Sequence, residues 1–171
     1  MKTHPFPPPP RPSEVIRLRV IAHSDHPRDQ AAKLTVRDRL LARLRPALEP
    51  CASREAAWTA VKGLAPRLAQ EAQAALAEAG LAYGATVAVG TAAFPAKAYG
   101  PWIFPAGPYA AVVVTLGAGE GQNWWCLIYP ALCFIDLAHG VAVPPMGTLP
   151  PAHMTVSWGV GKILQTLSRW W

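Results

Sequence analysis

The chain has 171 residues, of which 51% are hydrophobic and 15% are charged, and its formal net charge is +6 at pH 7. This length is enough for one well-buried domain and too short for two comfortable ones. The charge is unevenly placed, because the first 45 residues hold ten Lys or Arg against four acidic residues. The whole positive excess therefore lies in the N-terminal quarter, and the rest of the chain is neutral.

This N-terminal positive field could attract anionic lipid, nucleic acid or an acidic protein surface. The cations do not alternate with aromatic residues in a stacking motif, and no zinc-finger or helix-turn-helix spacing occurs, so nucleic acid is not predicted as a partner. An anionic membrane surface would add a weak attraction of about 1 kcal/mol per well-placed cation. The simplest interpretation of these residues is a solvated helix face.

The first elements in chain order are a flexible proline-rich arm at residues 1–13, a strand at Val15–Ala22 and a helix. In the strand, Ile16, Leu18 and Val20 share one face while Arg17 and Arg19 take the other, which is typical of a half-buried strand at an edge. Ser24 or Asp25 as a cap and Pro27 in the first turn predict that the helix begins there and ends before Pro46. The helix should bury Leu34, Leu41 and Leu44, with Ala31 and Leu48 at its ends, and should expose Lys33, Arg37, Arg39 and Arg43.

A second helical segment begins at Ser53 and ends at Gly80, which is expected to adopt a left-handed cap. Its apolar residues recur at three- and four-residue spacing: Trp58, Val61, Ala65, Leu68, Ala72, Ala75 and Ala79. Gly63 and Pro66 interrupt this stripe. Since an internal proline costs about 3 kcal/mol, we predict two shorter helices, the second opening at Pro66.

From Tyr83 onward the pattern changes to a period of two. Strands are predicted at Thr86–Gly90, Ala93–Tyr99, Tyr109–Leu116 and Asn123–Tyr129. One strand, two or three helices and then three or four strands predict an α+β fold, a single domain with helices packed on one face of a mixed or mostly antiparallel sheet. The domain should cover residues 14–136, followed by a proline-rich extension and an amphipathic C-terminal tail at 137–171.

The most informative segment is residues 119–134, GEGQNWWCLIYPALCF. In an extended strand Trp124 and Trp125 point to opposite faces, so they cannot both enter one core. One indole must be covered by another layer of the same domain or must contact a partner. We predict that this strand converges with Phe94, Lys97, Tyr99, Gly107 and Tyr109, and that these residues bind a partner together with Asn123, Trp124 and Trp125.

Several dispersed motifs in fixed order carry a family resemblance. They are IRLRVIAHSD at 16–25, DQ at 29–30, VRD at 36–38, FPAKAYG at 94–100, PAGPY at 105–109 and the tryptophan segment. With them the chain resembles stage II sporulation protein R from about Val15 to Phe134. The resemblance implies a non-catalytic signalling protein without a cofactor or metal. It implies that the protein is made in the forespore and exported to the space between forespore and mother cell. There it would activate a membrane-embedded aspartic peptidase that cleaves the pro-sequence of sigma factor E.

The opening residues do not contain the apolar core of 7–15 residues that is typical of an export signal, so the sequence does not predict the export route. A membrane-spanning helix is not predicted either. The uncharged stretch from Ala98 to Gly119 contains Pro101, Pro105 and Pro108, which break helices. We therefore expect a protein that acts outside the bilayer.

The cysteines allow two other interpretations. Cys126 could be the nucleophile of a small hydrolase with His139 or His153 as the base and Asn123 or Asp136 as the orienting group. A strand–turn–strand centred on Tyr129 and Pro130 would instead place Cys126 opposite Cys133, where a disulfide could form. This turn would need a cis Tyr129–Pro130 bond or a wider loop. Two buried, reduced thiols remain the alternative, and Cys51 has no evident partner.

Three further motifs are interpreted as structural. The glycines of residues 117–121 are typical of a turn, because a Walker lysine and a following helix are missing. His23, Asp25 and His26 could bind a metal, but no distant residue completes a set, and a helix cap explains them better. Arg37 and Asp38 should serve the fold, with Asp38 pairing with Arg17 or Arg19.

Overall fold

The computed structural model describes residues 10–99 and 102–130. A short 3-10 turn precedes strand β1 (Ile16–Ile21), and two long helices follow, α1 (Pro27–Leu48) and α2 (Arg54–Glu78). The remaining elements are strands: β2 (Ala85–Phe94), β3 (Lys97–Tyr99), β4 (Trp102–Phe104), β5 (Gly107–Leu116) and β6 (Asn123–Tyr129). The predictions for most of the proline-rich arm, for Cys133 and for the extension after residue 136 lie outside the described residues.

Four strands form one mixed sheet in the order β2-β5-β1-β6. The central pair, β1 and β5, is parallel, whereas β6 and β2 pair antiparallel with β1 and β5. Strands β3 and β4 form a separate two-stranded hairpin. The predicted α+β fold with a mixed sheet is confirmed.

The two faces of the sheet pack against different groups, as the side chains of β1 show. Ile16, Leu18 and Val20 point to the face on which both helices pack, where they join the main hydrophobic core. Arg17 points to the opposite face, among aromatic side chains that include Phe94, Phe104 and Tyr109. The prediction of an edge strand is wrong: β1 lies between β5 and β6, and the Arg17 side chain is 0% exposed.

Helix α1 begins and ends differently from the prediction. Its cap is His26, whose Nδ1 accepts a hydrogen bond from the backbone N–H of Arg28, and Pro27 occupies the first turn as expected. Pro46 does not stop the helix, which continues to Leu48. Ala42 and Pro46 are exposed, so water can satisfy the Ala42 carbonyl that the proline cannot bond.

The predicted buried stripe of α1 is confirmed at Leu41, Leu44 and Leu48 and is wrong in the first half of the helix. Leu34 is 40% exposed and Ala31 is exposed, whereas Lys33, predicted to be solvated, is only 6% exposed. The helix residues that do face the core are Ala32, Val36, Leu40, Leu41, Leu44 and Leu48. Their dominant spacing is four residues, which the isolated leucines of the sequence did not reveal.

Helix α2 runs without a break through Pro66, so the prediction of two helices is wrong. Lys62 and Pro66 both lie on the exposed side, where water can satisfy the Lys62 carbonyl that the proline cannot bond. The buried residues Val61 and Leu68 on either side hold the helix together. The predicted caps are confirmed: Ser53 accepts from the N–H of Ala56, and Gly80 has φ 66°.

Strand β2 also continues through its glycine, since Gly90 lies in the middle of a ten-residue strand that pairs with β5 along its whole length. The predicted boundaries of the last strand, Asn123–Tyr129, are confirmed. Neither α1 nor α2 is long and apolar enough to cross a bilayer, and these are the long helices of the described residues.

Candidate partner-binding site

The start of strand β6 is fixed by the loop between β1 and α1. The Asp25 carboxylate accepts a hydrogen bond from the backbone N–H of Gln122 at 2.8 Å, and the Lys33 ammonium donates to the Gln122 carbonyl at 3.1 Å. Lys33 also donates to the Gln30 side chain at 2.6 Å, and its burial lowers its pKa. The motifs around Ser24-Asp25 and Asp29-Gln30 therefore hold the tryptophan strand in position.

The glycine-rich segment before β6 is a turn, as predicted, and it fits closely against the same loop. Gly117 and Gly119 have φ values of 53° and 66°, a conformation that favours glycine. The backbone N–H of Ala118 donates to His23 Nδ1 at 2.9 Å, and the His23 ring stacks on Tyr83 with centroids 4.3 Å apart. Within the part of the chain that the structure describes, no group of three metal-binding residues occurs.

Asp29 is the buried anion of this loop. Its two carboxylate oxygens accept hydrogen bonds of 2.6 Å from the hydroxyls of Ser24 and Tyr83. The Ser24 bond, followed by the Tyr83 bond, lowers the pKa of Asp29, while burial and the bond to Asp29 raise the pKa of Tyr83. Asp29 thus joins the start of α1 to the segment that leads into β2.

We expect this carboxylate to make the protein sensitive to acid. A carboxylate whose pKa is lowered in the folded state stabilises the fold above its unfolded pKa, about 4, and loses that contribution as the pH falls through the folded value. Thermal unfolding of wild type and Asp29→Asn, measured from pH 7 to pH 2, should show a shallower acid decline for the variant.

The variants Ser24→Ala and Tyr83→Phe serve as matched controls, since each removes one donor and keeps the carboxylate. Both should show a smaller acid decline than the wild type, complete at a higher pH, because the folded pKa of Asp29 then lies closer to its unfolded value. An acid decline of Asp29→Asn as steep as that of the wild type would contradict this role.

The two tryptophans lie on opposite faces of β6, as predicted, but neither is fully exposed. Trp124 packs at the margin of the helix-covered core, where the Arg37 guanidinium lies 5.2 Å from its ring centroid. Trp125 packs on the other face, with the Phe94 ring 5.2 Å away. Each indole is covered in part by a cation rather than by a further apolar layer.

Trp125 is the centre of a cationic surface. The Arg19 guanidinium lies 4.7 Å from its ring centroid and the Lys97 ammonium 5.6 Å, both within the range of a cation–π contact. Arg19 also donates through Nε to the Asn123 side chain at 3.0 Å. We call the surface formed by Arg19, Lys97, Asn123 and Trp125 the cationic aromatic face.

A buried arginine supports this face from below. The Arg17 guanidinium lies 4.2 Å from the Phe94 ring, 4.7 Å from Tyr109 and 5.6 Å from Tyr99, and it donates to the Tyr99 hydroxyl at 2.9 Å. Its Nε and Nη1 atoms are buried without a hydrogen-bond partner. The aromatic side chains thus form a cage around a desolvated cation.

The predicted convergence of the aromatic motifs is therefore present in part. Phe94, Lys97, Tyr99 and Tyr109 lie near Trp125, and Gly107 is paired with Phe94 at the end of β2. Trp124 does not belong to the group because it faces the helices. Phe94 and Tyr109 are buried, so they can support a binding surface but cannot contact a partner.

Arg17 and Arg19 were missed as members of this cluster. The signal was in the sequence, since their alternation with Ile16, Leu18 and Val20 already placed them together on one face. Ile103 was also missed: it lies on β4 and is 53% exposed, one of two large hydrophobic side chains that are exposed among the described residues.

The cations of the cationic aromatic face differ from those of the helices. Five of the seven helical arginines have carboxylate partners: Arg37–Asp38, Arg39–Glu78, Arg43–Glu71, Arg45–Glu49 and Arg67–Glu71. Of the other two, Arg28 donates to the carbonyls of Ala79 and Gly80, and Arg54 lies over the Trp58 ring. No ion pair with a described carboxylate involves Arg17, Arg19 or Lys97. Arg19 and Lys97 therefore bring two cations without a described carboxylate partner against the ring of Trp125.

The predicted pairing of Asp38 with Arg17 or Arg19 is wrong. Asp38 pairs with its neighbour Arg37 at 2.7 Å, because α1 packs on the sheet face opposite to the two strand arginines. Arg37 in turn covers Trp124. Arg37 and Asp38 therefore both make contacts within the fold, Asp38 through the ion pair and Arg37 through the ion pair and the Trp124 ring.

Cys126 is buried on the helix-covered face and takes part in a disulfide bond. The Tyr129–Pro130 peptide bond is cis, one of the two arrangements predicted for the turn. Cys133, the predicted partner, lies outside the described residues, so this pairing stays a prediction. Cys51 is a free thiol.

The chain matches a known protein family across most of the residues that the structure describes. The family model of stage II sporulation protein R matches residues 12–139. The chain belongs to the stage II sporulation protein R family. The resemblance seen in the motifs is confirmed, and a role in sporulation is supported.

A relative within this family is stage II sporulation protein R of Bacillus subtilis (strain 168). It is 36% identical over 132 residues, which cover 77% of this chain and 59% of the relative. The chain thus spans about three-fifths of the length of this relative. No solved structure matches the chain significantly. The family match includes the cationic aromatic face, its buried arginine and the loop around Asp29.

Proposed function

We propose that this member of the stage II sporulation protein R family is an extracytoplasmic signalling protein. In this proposal it is exported from the forespore and activates the membrane-embedded aspartic peptidase of the mother cell that processes pro-sigma-E. Family membership supports the sporulation role, and the sequence resemblance implies the peptidase. The observation that carries the proposal is Trp125, half-buried between two cations that lack a described carboxylate partner.

The geometry suits recognition of another protein. A tryptophan flanked by cations on a rigid sheet combines a large apolar contact with charge selection, and such residues dominate binding energy at interfaces. Because the helices occupy the other face, a partner can reach Trp125 without unpacking the main core. The buried Arg17 side chain contacts Phe94, Tyr99 and Tyr109 and keeps these rings in place beneath the cationic aromatic face.

The hydrolase alternative receives no support from Cys126. The thiolate is the nucleophile in cysteine catalysis, and a sulfur in a disulfide cannot serve as one. A general cationic surface-binding module is also less favoured, since five of the seven helical arginines are paired with carboxylates. Arg19 and Lys97, which have no described carboxylate partner, lie together against one indole.

The proposal is tested by expressing the full chain together with the peptidase and its pro-sigma-E substrate in a host that does not sporulate. Precursor cleavage is the readout, and circular dichroism follows folding. Trp125→Ala should remove an anchor worth 2 kcal/mol or more, equivalent to about a 30-fold loss of affinity, and should abolish cleavage.

Trp124→Ala is the matched control, because it removes the neighbouring indole from the opposite face. It should lower the melting temperature and retain activation in the folded fraction. The proposal fails if both folded variants still activate the peptidase, or if Trp124→Ala alone loses activation while remaining folded.

A further inference from the structure

Strand β2 is a long, open edge of the sheet. In the described residues it pairs with β5 on one side and with no strand on the other. All ten of its residues stay in one continuous register with β5, without a bulge. Since alternate residues of an antiparallel strand direct both backbone polar groups to the same side, about half of the N–H and C=O groups of β2 face outward.

Within residues 10–99 and 102–130, none of the usual protective features occurs at this edge. Natural edge strands are usually protected by a charge, a proline, a bulge or a short length. Strand β2 reads ATVAVGTAAF and contains neither a charged residue nor a proline. The N–H of Ala85 is used by the Gln73 side chain at 3.1 Å, which places the outward groups of the strand at odd-numbered residues such as Val87, Val89 and Thr91.

The part of helix α2 that lines a groove beside this edge contains no charged residue. A shallow groove at the start of β2 is lined by small or neutral residues: Ala69, Gln70, Gln73, Ala74, Ala77 and Ala85. The opposite flank of α2 carries Glu71 and Glu78, which pair with arginines of α1. The strand and the groove contain no charged residue, and Arg67, which donates to the Gln70 side chain, lies beside the groove.

We propose that a second copy of this chain pairs with β2 in an antiparallel manner and extends the sheet to eight strands. The charge distribution favours a second copy as the occupant. The chain carries a net charge of +6, and a symmetric contact brings each surface against itself, so a basic face would repel its own copy. The β2 surface avoids this repulsion while satisfying the open backbone groups.

The symmetry has a definite geometric consequence. Antiparallel pairing of identical strands in one sheet is generated by a two-fold axis perpendicular to the sheet, which keeps corresponding faces on the same side. The uncharged flanks of the two α2 helices then approach each other across the axis, where alanines permit close contact. With Val89 at the centre, Val87 would lie opposite Thr91 of the second copy.

The dimer would also present two cationic aromatic faces on one side of the sheet. This consequence rests on the proposed function, because it makes the protein a bivalent ligand for the peptidase. The dimer itself does not depend on that function and is tested without the peptidase.

Sedimentation velocity and light scattering of the full wild-type chain over a range of concentrations should show a monomer–dimer equilibrium. Thr91→Lys places a cation from each copy in the contact and should give a monomer with an unchanged circular dichroism spectrum. Thr35→Lys is the matched control, since it makes the same exchange at an exposed position of α1 and should leave the dimer intact.

Hydrogen exchange distinguishes edge pairing from another dimer contact. The backbone amides of Val87, Val89 and Thr91 should be protected in the wild type, and their protection should fall on dilution and in Thr91→Lys. A monomeric wild type, which would mean that the edge is free or is covered by the chain itself, overturns the proposal. A dimer that persists in Thr91→Lys with unprotected β2 amides overturns it too.

Discussion

Replacing Gly121 by alanine is expected to destabilise the protein by about 3 kcal/mol, the upper end of the usual cost of overpacking. A Cβ atom at this position would overlap the carbonyl of Ser24 and approach the Ala22 side chain to 2.9 Å. The backbone cannot move away easily, because the Gly121 N–H donates to the Ala22 carbonyl at 3.0 Å and the N–H of Gln122 donates to Asp25.

The measurement is urea unfolding followed by circular dichroism. Gly63→Ala is the matched control, because it adds the same methyl group within helix α2, where a Cβ would meet nothing within 4 Å. This change should stabilise the protein by about 1 kcal/mol, since alanine is the better helix former. Equal urea midpoints for wild type and Gly121→Ala would contradict the prediction. They would show that the β1–α1 loop and the β5–β6 loop are not packed rigidly against each other.

The sequence predicted the elements whose signals are local. The caps at Ser53 and Gly80 depend on one side chain and one backbone conformation, and both were found where expected. The alternation in β1 and β6 correctly assigned opposite faces to the two tryptophans. These features do not depend on what packs against them.

The errors arose where tertiary packing outweighs local preference. Pro46 was expected to end a helix and Pro66 to open a new one, but each lies on an exposed side, where losing one hydrogen bond costs less than abandoning the buried contacts nearby. Lys33 was expected in solvent because lysines are rarely buried. It is buried because its ammonium binds the Gln122 carbonyl, a partner 89 residues away that no local pattern could reveal.

The sequence predicted the aromatic residues of the binding site and Lys97, but it did not predict that Arg17 and Arg19 belong to the same cluster. The aromatic motifs indicated a cluster, but sequence rules treat an arginine as a solvated residue, so Arg17 was taken as evidence for an edge strand. Its burial depends on rings contributed by β2, β3 and β5, which meet only in the folded sheet.

The Arg17 cage yields a prediction that separates shape from charge. Arg17→Ala should cost about 3–5 kcal/mol, because it leaves a cavity among Phe94, Tyr99 and Tyr109. Arg17→Met fills most of that space and should lie within about 1.5 kcal/mol of the wild type. The reason is that the cation–π attraction is opposed by the desolvation of a charge with two unpaired donors, and buried charges often add little net stability.

Urea unfolding of the two variants decides the stability question, and precursor cleavage decides the functional one. If Arg17→Met is as unstable as Arg17→Ala, the cation itself stabilises the cage and the prediction is wrong. If it is stable and still activates the peptidase, Arg17 serves only to fill space. The outcome we expect is a stable variant with reduced activation, because the Tyr99 and Phe94 rings lose the guanidinium contacts that help to position them, and Phe94 packs directly on Trp125. A costly buried cation would then be explained by the precise position it gives to the binding surface above it.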